Sequence, residues 1–206
     1  DHLSGDAGAD SLAGGTGHDQ LLGESGNDLL RGGAGGDTLL GGTGHDRLLG
    51  NNGDDWLQGG FGNDRLLGGP GADTLDGDFG DDTLTGHHDD QADIWTDFLN
   101  GGAGNDLIEL GAGDNGSGNQ GNDLFRLGDW LQEGDQCRIM DFNPAEDQIE
   151  IIYDPAAHPD PRLAFETDGQ TGDVQVFLDG KPLISVQNAQ GLSEHHIQLT
   201  AERGAD

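Results

Sequence analysis

The sequence predicts an all-β fold in which short strands stack as a solenoid. Three observations support this prediction: one nine-residue repeat, an unusual share of glycine and a thin supply of apolar residues. Glycine accounts for 40 of the 206 residues, and only 32% of residues are hydrophobic. Composition of this kind with a net charge of −32 would otherwise indicate disorder. A disordered acidic tract would not keep a strict repeat phase, so we expect ordered, stacked repeats.

The repeat is a nonapeptide with four fixed positions. Positions one and four are glycine, position six is aspartate and position eight is leucine in all nine consecutive copies. The segment 1–4 reads as the last four positions of a preceding copy, from which we expect a truncated N-terminus. The nine copies begin at Gly5, Gly14, Gly23, Gly32, Gly41, Gly50, Gly59, Gly68 and Gly77.

The spacing predicts one short strand and one turn in each copy. Positions seven to nine form the strand, with the leucine turned inward, and the other six residues form the turn. Glycine lets the turn enter positive-φ conformations that other residues avoid. Asparagine and aspartate, which replace glycine at some copies of position two, tolerate these conformations best among the other residues.

The repeat by itself provides too little favourable free energy to fold, and a bound cation would supply what is missing. One leucine in nine residues makes a small core, and ordering so much glycine costs conformational entropy. Stacked turns also bring the position-six aspartates close together, where they repel one another. Carboxylates and turn carbonyls offer only oxygen ligands, which favours Ca²⁺, since Mg²⁺ usually keeps several waters.

A zinc site is not expected in the repeats. Zinc would require Cys or His at regular positions, and neither recurs. His18 and His45 occupy position five in only two copies, so we interpret them as solvated turn residues.

Composition also excludes several classes of partner. A net charge of −32 opposes binding to nucleic acid or to an anionic membrane. Cys137 is the only cysteine and cannot form an internal disulfide, and no apolar run approaches the ~18 residues of a membrane span. No signal peptide is visible, and Met140 is the only methionine, so we expect a processed product or a fragment.

The motif G-G-x-G-x-D-x-U-x resembles the RTX repeat of secreted bacterial toxins, serralysin-type proteases, some lipases and alginate epimerases. The resemblance implies a right-handed parallel β-roll with two repeats per coil. It also implies calcium ions between turns that are two repeats apart. One turn supplies positions two, four and six, and the later turn supplies positions one, three and six. On that pattern Gly15, Gly17 and Asp19 face Gly32, Ala34 and Asp37 across one ion.

The resemblance predicts about seven or more calcium ions, because nine repeats contain seven pairs of turns that are two repeats apart. Seven ions would offset 14 of the 32 negative charges. The predicted aspartate ligands are Asp10, Asp19, Asp28, Asp37, Asp46, Asp55, Asp64, Asp73, Asp82, Asp106 and Asp123. The predicted position-four glycines are Gly8, Gly17, Gly26, Gly35, Gly44, Gly53 and Gly62, and the predicted position-one glycines are Gly23, Gly32, Gly41, Gly50, Gly59, Gly68 and Gly77.

The phase slips after Thr85. Residues 86–100 take the place of one nonapeptide but are longer, and we interpret 86–91 as the excess. His87, His88, Asp89 and Asp90 form either a surface loop, which we favour, or a transition-metal chelate. A tenth repeat spans 101–109 and an eleventh spans 118–126, with the irregular segment 110–117 between them. We expect one to three further ions here, and a β-roll domain over residues 1–126.

Residues 127–206 are expected to form a small β cap. Strands are predicted at 136–142, at 148–153 and in a hairpin over 173–186 that turns at Asp179-Gly180. Ser193 is expected to cap one helical turn before a last strand near 197–199. The stretch resembles the cap of serralysin-type proteins, and Asp141 and Asp147 either bind a last ion or, as we favour, cap turns.

The sequence carries no catalytic motif. It lacks H-E-x-x-H and G-x-S-x-G, and Cys137 has no obvious general-base partner nearby. The resemblance implies a calcium-binding module of a secreted, extracellular protein. Such a module is exported by a type I secretion system, with the export signal near the C-terminus, and it folds on meeting calcium. Any catalytic domain would precede Asp1, and we expect a monomer.

The alternative function is an adhesin or a polysaccharide-binding accessory module. Its candidate contacts are Arg47 and Arg65, at position seven of adjacent coils.

Overall fold

The computed structural model describes residues 1–86, 95–128 and 136–202 of the chain. Apart from one 3-10 turn at Glu194–His196, every regular element in these ranges is a strand. The strands are β1 (His2–Ser4), β2 (Ser11–Thr16), β3 (Gln20–Ser25), β4 (Leu29–Ala34), β5 (Thr38–Thr43), β6 (Arg47–Asn52), β7 (Trp56–Phe61), β8 (Arg65–Leu67), β9 (Thr74–Phe79), β10 (Thr83–Thr85), β11 (Phe98–Ala103), β12 (Leu107–Glu109), β13 (Asn115–Gln120), β14 (Leu124–Gly128), β15 (Cys137–Ile139), β16 (Gln148–Tyr153), β17 (Leu163–Thr167), β18 (Val174–Leu178), β19 (Lys181–Val186) and β20 (Ile197–Ala201).

From β1 to β17 successive strands alternate between two sheets, whereas β17, β18 and β19 all belong to the first of them. Sheet A has the order β1-β3-β5-β7-β9-β11-β13-β15-β19-β18-β17, and sheet B has the order β2-β4-β6-β8-β10-β12-β14-β16-β20. From β1 to β16 all neighbours are parallel, and partners in the first coils are separated by two repeats, as in Gln20 opposite Thr38. The protein is therefore a parallel β-solenoid with two repeats per coil, as predicted.

Most strands are longer than the repeat predicts. A typical strand runs from position seven of one copy to position three of the next, as in Ser11–Thr16. The glycine-rich turns are stacked in register as well, and they donate hydrogen bonds from coil to coil. Gly8 N–H donates to Ser25 O and Gly26 N–H donates to Thr43 O, both at 2.8 Å. The expectation that strands end at position nine was wrong because it treated the turns as unpaired.

Position eight forms the core of the roll, by which we mean strands β1 to β14. The leucines of this position are buried from Leu21 onward, and they stack one per strand. Leu12 in the first complete copy is only partly buried. Position-nine leucines are half-buried on the outside, with Leu22 and Leu40 on sheet A and Leu49 and Leu67 on sheet B.

The phase slip after Thr85 is a local insertion between two stacked coils. Thr74 pairs with Phe98, so the strands on either side of the slip keep the register of the stack. The register therefore advances from Thr74 to Phe98, six residues more than from Trp56 to Thr74, and the assignment of 86–91 as the excess stays a prediction. The segment His87, His88, Asp89 and Asp90 lies outside the described residues.

The segment 110–117, expected to be irregular, belongs to the solenoid. It contributes the start of β13, which pairs with β11, with Asn115 opposite Phe98. Gly116 stands where other copies have leucine, and a side chain there would meet the buried Leu110. Because this copy has glycine instead of leucine at its core position, the repeat could not be recognised from the sequence.

The cap, strands β15 to β20, continues both sheets of the roll without a break. β15 pairs with β13 and β19, and β16 pairs with β14 and β20. Both sheets therefore continue from the roll into the cap where the sequence pattern changes near residue 127. A domain boundary there stays a prediction.

The predicted hairpin is present as β18 and β19, with positive φ at Asp179 and Gly180. The strand predicted at 136–142 is limited to Cys137–Ile139, and β17 was not predicted. Ser193 directly precedes the 3-10 turn, and its backbone N–H donates to His196 Nδ1 at 3.1 Å. In the part of the chain that the structure describes, no helix has the length and apolarity to cross a membrane.

Candidate metal centre

The position-six aspartates form two buried columns, one along each edge of the roll. Each follows a turn and precedes a strand, so the stacking of coils aligns them automatically. From Asp19 onward their exposed fraction does not exceed 5%. The buried members are Asp19, Asp28, Asp37, Asp46, Asp55, Asp64, Asp73, Asp82, Asp97, Asp106 and Asp123, whereas Asp10 is only partly buried.

One oxygen of each carboxylate holds two coils together. Asp28 N–H donates to Asp46 Oδ1 at 2.7 Å, and Asp46 N–H donates to Asp64 Oδ1 at 2.7 Å. The same bond joins Asp64 N–H to Asp82 Oδ1 at 2.7 Å. This bond requires a short side chain with an acceptor oxygen, as in Asp or Asn, and does not by itself explain the negative charge.

The second oxygen has no donor in ten of the position-six carboxylates. Within the described residues the Oδ2 atom is buried and has no hydrogen-bond partner in Asp10, Asp19, Asp28, Asp37, Asp46, Asp55, Asp64, Asp82, Asp106 and Asp123. A buried carboxylate oxygen without a partner is costly, more so than a neutral polar atom. The same defect recurs at every coil, which indicates a shared ligand.

Position-one glycines show where that ligand fits. A Cβ built on Gly23 would lie 2.6 Å from both Asp28 Oδ2 and Gly41 O. A Cβ on Gly41 would lie 2.5 Å from Asp46 Oδ2 and 2.6 Å from its other neighbour, Gly59 O. A carboxylate oxygen of one coil and a carbonyl oxygen of the next therefore converge on a cradle that a side chain would fill.

The position-four and position-two carbonyls also point along the stack. A Cβ on Gly35 would overlap the carbonyl group of Gly17, and one on Gly33 would overlap that of Gly15. These glycines also have positive φ, 119° at Gly35 and 123° at Gly33. The predicted glycines are needed both for turn conformation and for the close approach of successive carbonyls.

Burial opposes ionisation of the carboxylates. It raises the pKa of Asp82 to about 8, that of Asp106 to about 7 and that of Asp64 to about 6. The first cause is desolvation, which the hydrogen bond from the preceding coil offsets in part. Repulsion from a neighbouring aspartate, Asp64 in the case of Asp82, raises the pKa further.

The donor set fits a hard divalent cation. Among the described residues, no three His, Cys, Asp or Glu side chains converge on one point. Side chains alone therefore do not make a site, and turn carbonyls must supply most of the ligands. A set of one or two carboxylates with several carbonyls suits Ca²⁺, which takes six to eight oxygens.

Position five has a role that the sequence analysis missed. Its side chains accept backbone N–H groups from the next coil, as Asn27 Oδ1 does from His45 at 2.9 Å. His45 Nδ1 accepts from Asn63 N–H at 2.8 Å, and His18 Nδ1 accepts from Gly36 N–H at 3.0 Å. The two histidines are thus exposed but joined to the stack. The frequent occurrence of Asn, Asp and His at position five is the sequence signal from which this role could have been predicted.

The column of position-six carboxylates extends further than the predicted set. Asp97 N–H donates to Asp114 Oδ1 at 3.0 Å, so Asp114 occupies this position although the repeat around it was not recognised. Asp123 N–H donates to Asp147 Oδ1 at 3.1 Å, and Asp147 Oδ2 accepts from Asn143 N–H at 2.7 Å.

Asp141 lies in a different environment from the column. It accepts from Gly118 and Asn119 N–H at 3.0 and 2.8 Å and from Ser117 Oγ at 2.6 Å. Asp141 and Asp147 therefore both cap backbone segments, which is the role favoured for them.

Cys137 is buried, and its thiol donates to Gly111 O at 2.8 Å. Burial raises the pKa of this thiol, which makes it a structural residue.

Comparisons with known proteins agree with this geometry. The family model of the RTX calcium-binding nonapeptide repeat matches residues 1–30, 13–48, 31–66, 49–84 and 96–116, together more than half of the chain. No curated protein sequence matches.

Similar solved structures include two subunits of the Azotobacter vinelandii mannuronan C5-epimerase. AlgE6R3 is 24% identical, with 72% of this chain and 80% of that chain covered and a TM-score of 0.43. AlgE6R2 is 20% identical, with 76% and 94% covered and a TM-score of 0.37. Extracellular lipase LipA from Serratia marcescens is 18% identical over 94% of this chain and 38% of that chain, with a TM-score of 0.26.

The serralysin-like character of the cap stays a prediction. The repeats, their carboxylate columns and the family match agree, and the chain belongs to the RTX family of calcium-binding nonapeptide-repeat proteins.

Proposed function

We propose that this chain is a calcium-triggered folding module of a secreted protein, disordered without calcium and folded after export by a type I secretion system. The single observation that carries the proposal is the column of buried carboxylate oxygens without donors. In calcium-free protein these oxygens oppose folding at every coil. With an ion between coils they become ligands and join one coil to the next.

Each ion is proposed to bind between turns that are two repeats apart. The earlier turn supplies its position-six Oδ2 and the carbonyls of positions two and four. The later turn supplies the carbonyls of positions one and three and its own position-six carboxylate. The cradle between Asp28 Oδ2 and Gly41 O supports this pairing of positions six and one. The proposed ligand set comprises the aspartates and glycines predicted from the repeat, extended by Asp97, whereas Asp114 Oδ2 already accepts from Gly111 N–H at 2.6 Å.

The energetics make calcium concentration the switch. For sites with Kd of about 10⁻⁴ to 10⁻³ M, calcium at about 1 mM stabilises the roll by roughly 0.4 to 1.4 kcal/mol per ion. Seven or more ions acting on one stack add to a large fraction of the stability of a domain, about 5–15 kcal/mol. In a compartment with little calcium the chain stays unfolded, a state compatible with threading through an export channel.

The direct test is far-UV circular dichroism in EGTA, followed by titration with calcium to a few millimolar and with magnesium as the control. We expect a disordered spectrum in EGTA and a cooperative gain of β signal with calcium. Magnesium should produce little change, because it gives up its waters reluctantly. A β spectrum that persists in EGTA would contradict the proposal.

An anionic polysaccharide is the second candidate ligand, and one observation favours it. Arg47 and Arg65 lie opposite each other on β6 and β8, both exposed, and strands β2 to β10 of sheet B carry no acidic residue. Like charges directly opposite on neighbouring strands are destabilising, and a polyanion would relieve the repulsion.

Affinity electrophoresis in alginate-containing gels tests this ligand. Retardation should weaken in the variant Arg47→Gln/Arg65→Gln and remain in Arg162→Gln/Lys181→Gln, which removes the same charge from the cap. Equal mobility of all three proteins with and without alginate would remove the candidate.

A further inference from the structure

We propose that, instead of the monomer expected from the sequence, the outer face of sheet A in one molecule binds the outer face of sheet B in a second copy, so that folded rolls associate into open chains. The aromatic face is the set of outward side chains on β1, β3, β5, β7, β9, β11 and β13. The arginine face is the corresponding set on β2, β4, β6, β8, β10, β12 and β14. This inference goes beyond calcium binding and uses surfaces that the carboxylate columns leave free.

Exposed apolar residues are concentrated on one side of the roll. Trp56, Phe61, Phe79 and Phe98 are 42% to 58% exposed and belong to the neighbouring strands β7, β9 and β11. Phe61 and Phe79 stack with ring centroids 4.9 Å apart. Among the described residues, the other exposed large hydrophobics are Trp95 and Met140, just before β11 and just after β15 of the same sheet. Phe61 and Phe79 lie at the ends of their strands, and Trp56 and Phe98 lie at the starts of theirs, on either side of Thr74. Exposed apolar surface of this extent indicates an interaction site.

The two faces carry opposite charges. The roll strands of sheet A contain the acids Glu24, Asp76 and Asp78 and no Lys or Arg. Two amides hold carboxylates in place: Gln58 Nε2 donates to Asp78 Oδ2 at 2.6 Å, and Asn100 Nδ2 donates to Asp76 Oδ1 at 3.1 Å. The aromatic face therefore repels a polyanion and fits a cationic surface.

The arginine face is the complementary surface that this chain itself provides. Its strands contain Arg31, Arg47, Arg65 and Arg126, and its one acid, Glu109, is paired with Arg126. Half-buried Leu29, Leu49 and Leu67 lie beside the first three arginines. Aromatic residues, Met and Arg are the types enriched at protein interfaces, and Arg binds the faces of Trp and Phe rings.

The dimensions of the faces also match. Each face has seven strands in the roll. The roll strands lie about 4.8 Å apart and average about 18 Å in length on sheet A and about 15 Å on sheet B, which gives faces on the order of 600 and 500 Å². Stacking the two faces buries about 1,000 Å², near the minimum for a specific interface. Because both faces have the same strand spacing, rows of arginine and rows of aromatic or acidic residues align strand by strand.

The faces lie on opposite sides of one roll, which fixes the type of assembly. Each molecule presents one of each, so the contact is heterologous and does not close on itself as a two-fold dimer does. A second copy therefore extends the chain and leaves both terminal faces available.

Sedimentation velocity in millimolar calcium tests the association, with two variants that each remove one face. Trp56→Ser/Phe98→Ser disables the aromatic face and leaves the arginine face. Arg47→Gln/Arg65→Gln does the reverse, and Arg162→Gln/Lys181→Gln is the control of equal charge. Calcium-dependent circular dichroism of each variant separates a failure to fold from a failure to associate.

We expect the wild type and the control to form species larger than dimers as concentration rises, more weakly at high salt. Each face variant alone should associate at least about tenfold more weakly. An equimolar mixture of the two face variants should form a dimer and nothing larger, because only one intact pair of faces remains. Polyanions are omitted, since they would compete for the arginines.

Three results would overturn the inference: a wild type that stays monomeric at all concentrations, a closed wild-type dimer, or folded face variants that fail to pair when mixed. Capture of a cationic peptide such as polylysine by the aromatic face without self-association would assign that face to another partner.

Discussion

The same side chain has two different environments in the roll and in the cap. Asp123 and Asp147 are neighbours in one carboxylate column, and both are buried. Asp123 Oδ2 has no hydrogen-bond partner, whereas Asp147 Oδ2 accepts from Asn143 N–H at 2.7 Å. The backbone thus satisfies the Asp147 carboxylate of the cap, as Gly111 N–H does for Asp114 at 2.6 Å, whereas Asp123 Oδ2 has no such donor.

The apolar core is also larger in the cap than in the roll. The roll buries about one apolar side chain per strand, while the hairpin of the cap alone buries Val174, Val176, Leu178, Ile184 and Val186. One solenoid therefore combines a larger apolar core and a fully hydrogen-bonded Asp147 carboxylate in the cap with carboxylate oxygens that lack donors in the roll, where calcium is proposed to bind.

The largest expected effect is that of pH on the calcium-free protein. Burial raises the folded-state pKa of Asp82 to about 8, of Asp106 to about 7 and of Asp55 to about 6. A raised folded pKa contributes stability that is complete below the unfolded value, near 4, and is lost as pH rises through the folded value. In EGTA, lowering the pH from 8 to about 5 should therefore restore β signal in circular dichroism.

The loops that flank β18 in the cap should respond in the opposite direction, although burial raises the pKa of the cap residue Asp147 as it does in the roll. Hydrogen bonds from His158 and from the backbone of Arg162 lower the pKa of Asp179, so its contribution is lost as pH falls. Backbone N–H groups of Gln170 and Thr171 do the same for Asp168. With calcium present the roll also reverses, since protons compete with the ion. A calcium-free spectrum equally disordered at both pH values would show that these carboxylates do not control folding.

The second prediction concerns glycine at the coil-to-coil approach. The Cβ of an alanine at Gly17 would have no neighbouring heavy atom within 4 Å. The expected cost of this substitution is therefore only the backbone strain at a φ of 112°. Ala at Gly35 has a similar φ and would also overlap the carbonyl group of Gly17. We expect Gly17→Ala to lower stability by about 1–3 kcal/mol and Gly35→Ala by about 3–5 kcal/mol.

Thermal unfolding in saturating calcium measures both glycine variants. Gly180→Ala in the cap hairpin, where no atom lies within 4 Å, should match Gly17→Ala. If Gly35→Ala and Gly17→Ala were equally stable, the overlap with the neighbouring coil would have no energetic weight.

The third prediction replaces one carboxylate in each region by its isosteric amide. Asp64→Asn keeps an acceptor for Asp46 N–H but removes a buried charge and a proposed ligand. It should raise the calcium midpoint roughly tenfold and stabilise the calcium-free protein. Asp147→Asn leaves one acceptor for two N–H donors, so it should cost about 1–3 kcal/mol at any calcium concentration.

Calcium titrations and thermal melts in EGTA at acidic pH, where the calcium-free roll is expected to fold, separate the two cases. The decisive measurement is the sign of the stability change that Asp64→Asn causes. We expect a loss of stability in calcium and a gain in EGTA. A loss of stability in both conditions would mean that Asp64 acts as the Asp147 carboxylate does, through hydrogen bonds alone.

Much of this molecule follows from its repeat. The two-per-coil stack, the leucine core and the position-six columns follow because identical copies can only stack in one register. The repeat does not predict the structure where identity between copies is lost. Asp114 was missed because Gly116 replaces the core leucine, and β17 was missed because its pairing with β18 depends on the hairpin fold. The strand lengths were underestimated, since turn-to-turn hydrogen bonds appear only when coils are assembled.

The smallest expected effect lies at the seam between the two regions. Arg126 on β14 donates from Nη1 to Glu109 Oε1 and from Nε to Glu150 Oε2, both at 2.8 Å, and Glu150 belongs to the cap strand β16. The Arg126 side chain is 30% exposed, against 80% for Arg162 in its pair with Asp160.

Arg126→Gln should cost about 1 kcal/mol and Arg162→Gln close to nothing, because exposed pairs contribute little and are screened by salt. Hydrogen bonds from Thr200 and Arg126 lower the pKa of Glu150, so the penalty of Arg126→Gln should shrink as Glu150 is protonated in acid. Calcium-saturated melts of both variants at low and high salt measure the difference. Equal melting temperatures would show that the sheets alone join roll and cap, whereas a penalty of several kcal/mol would make this ion pair part of the folding unit.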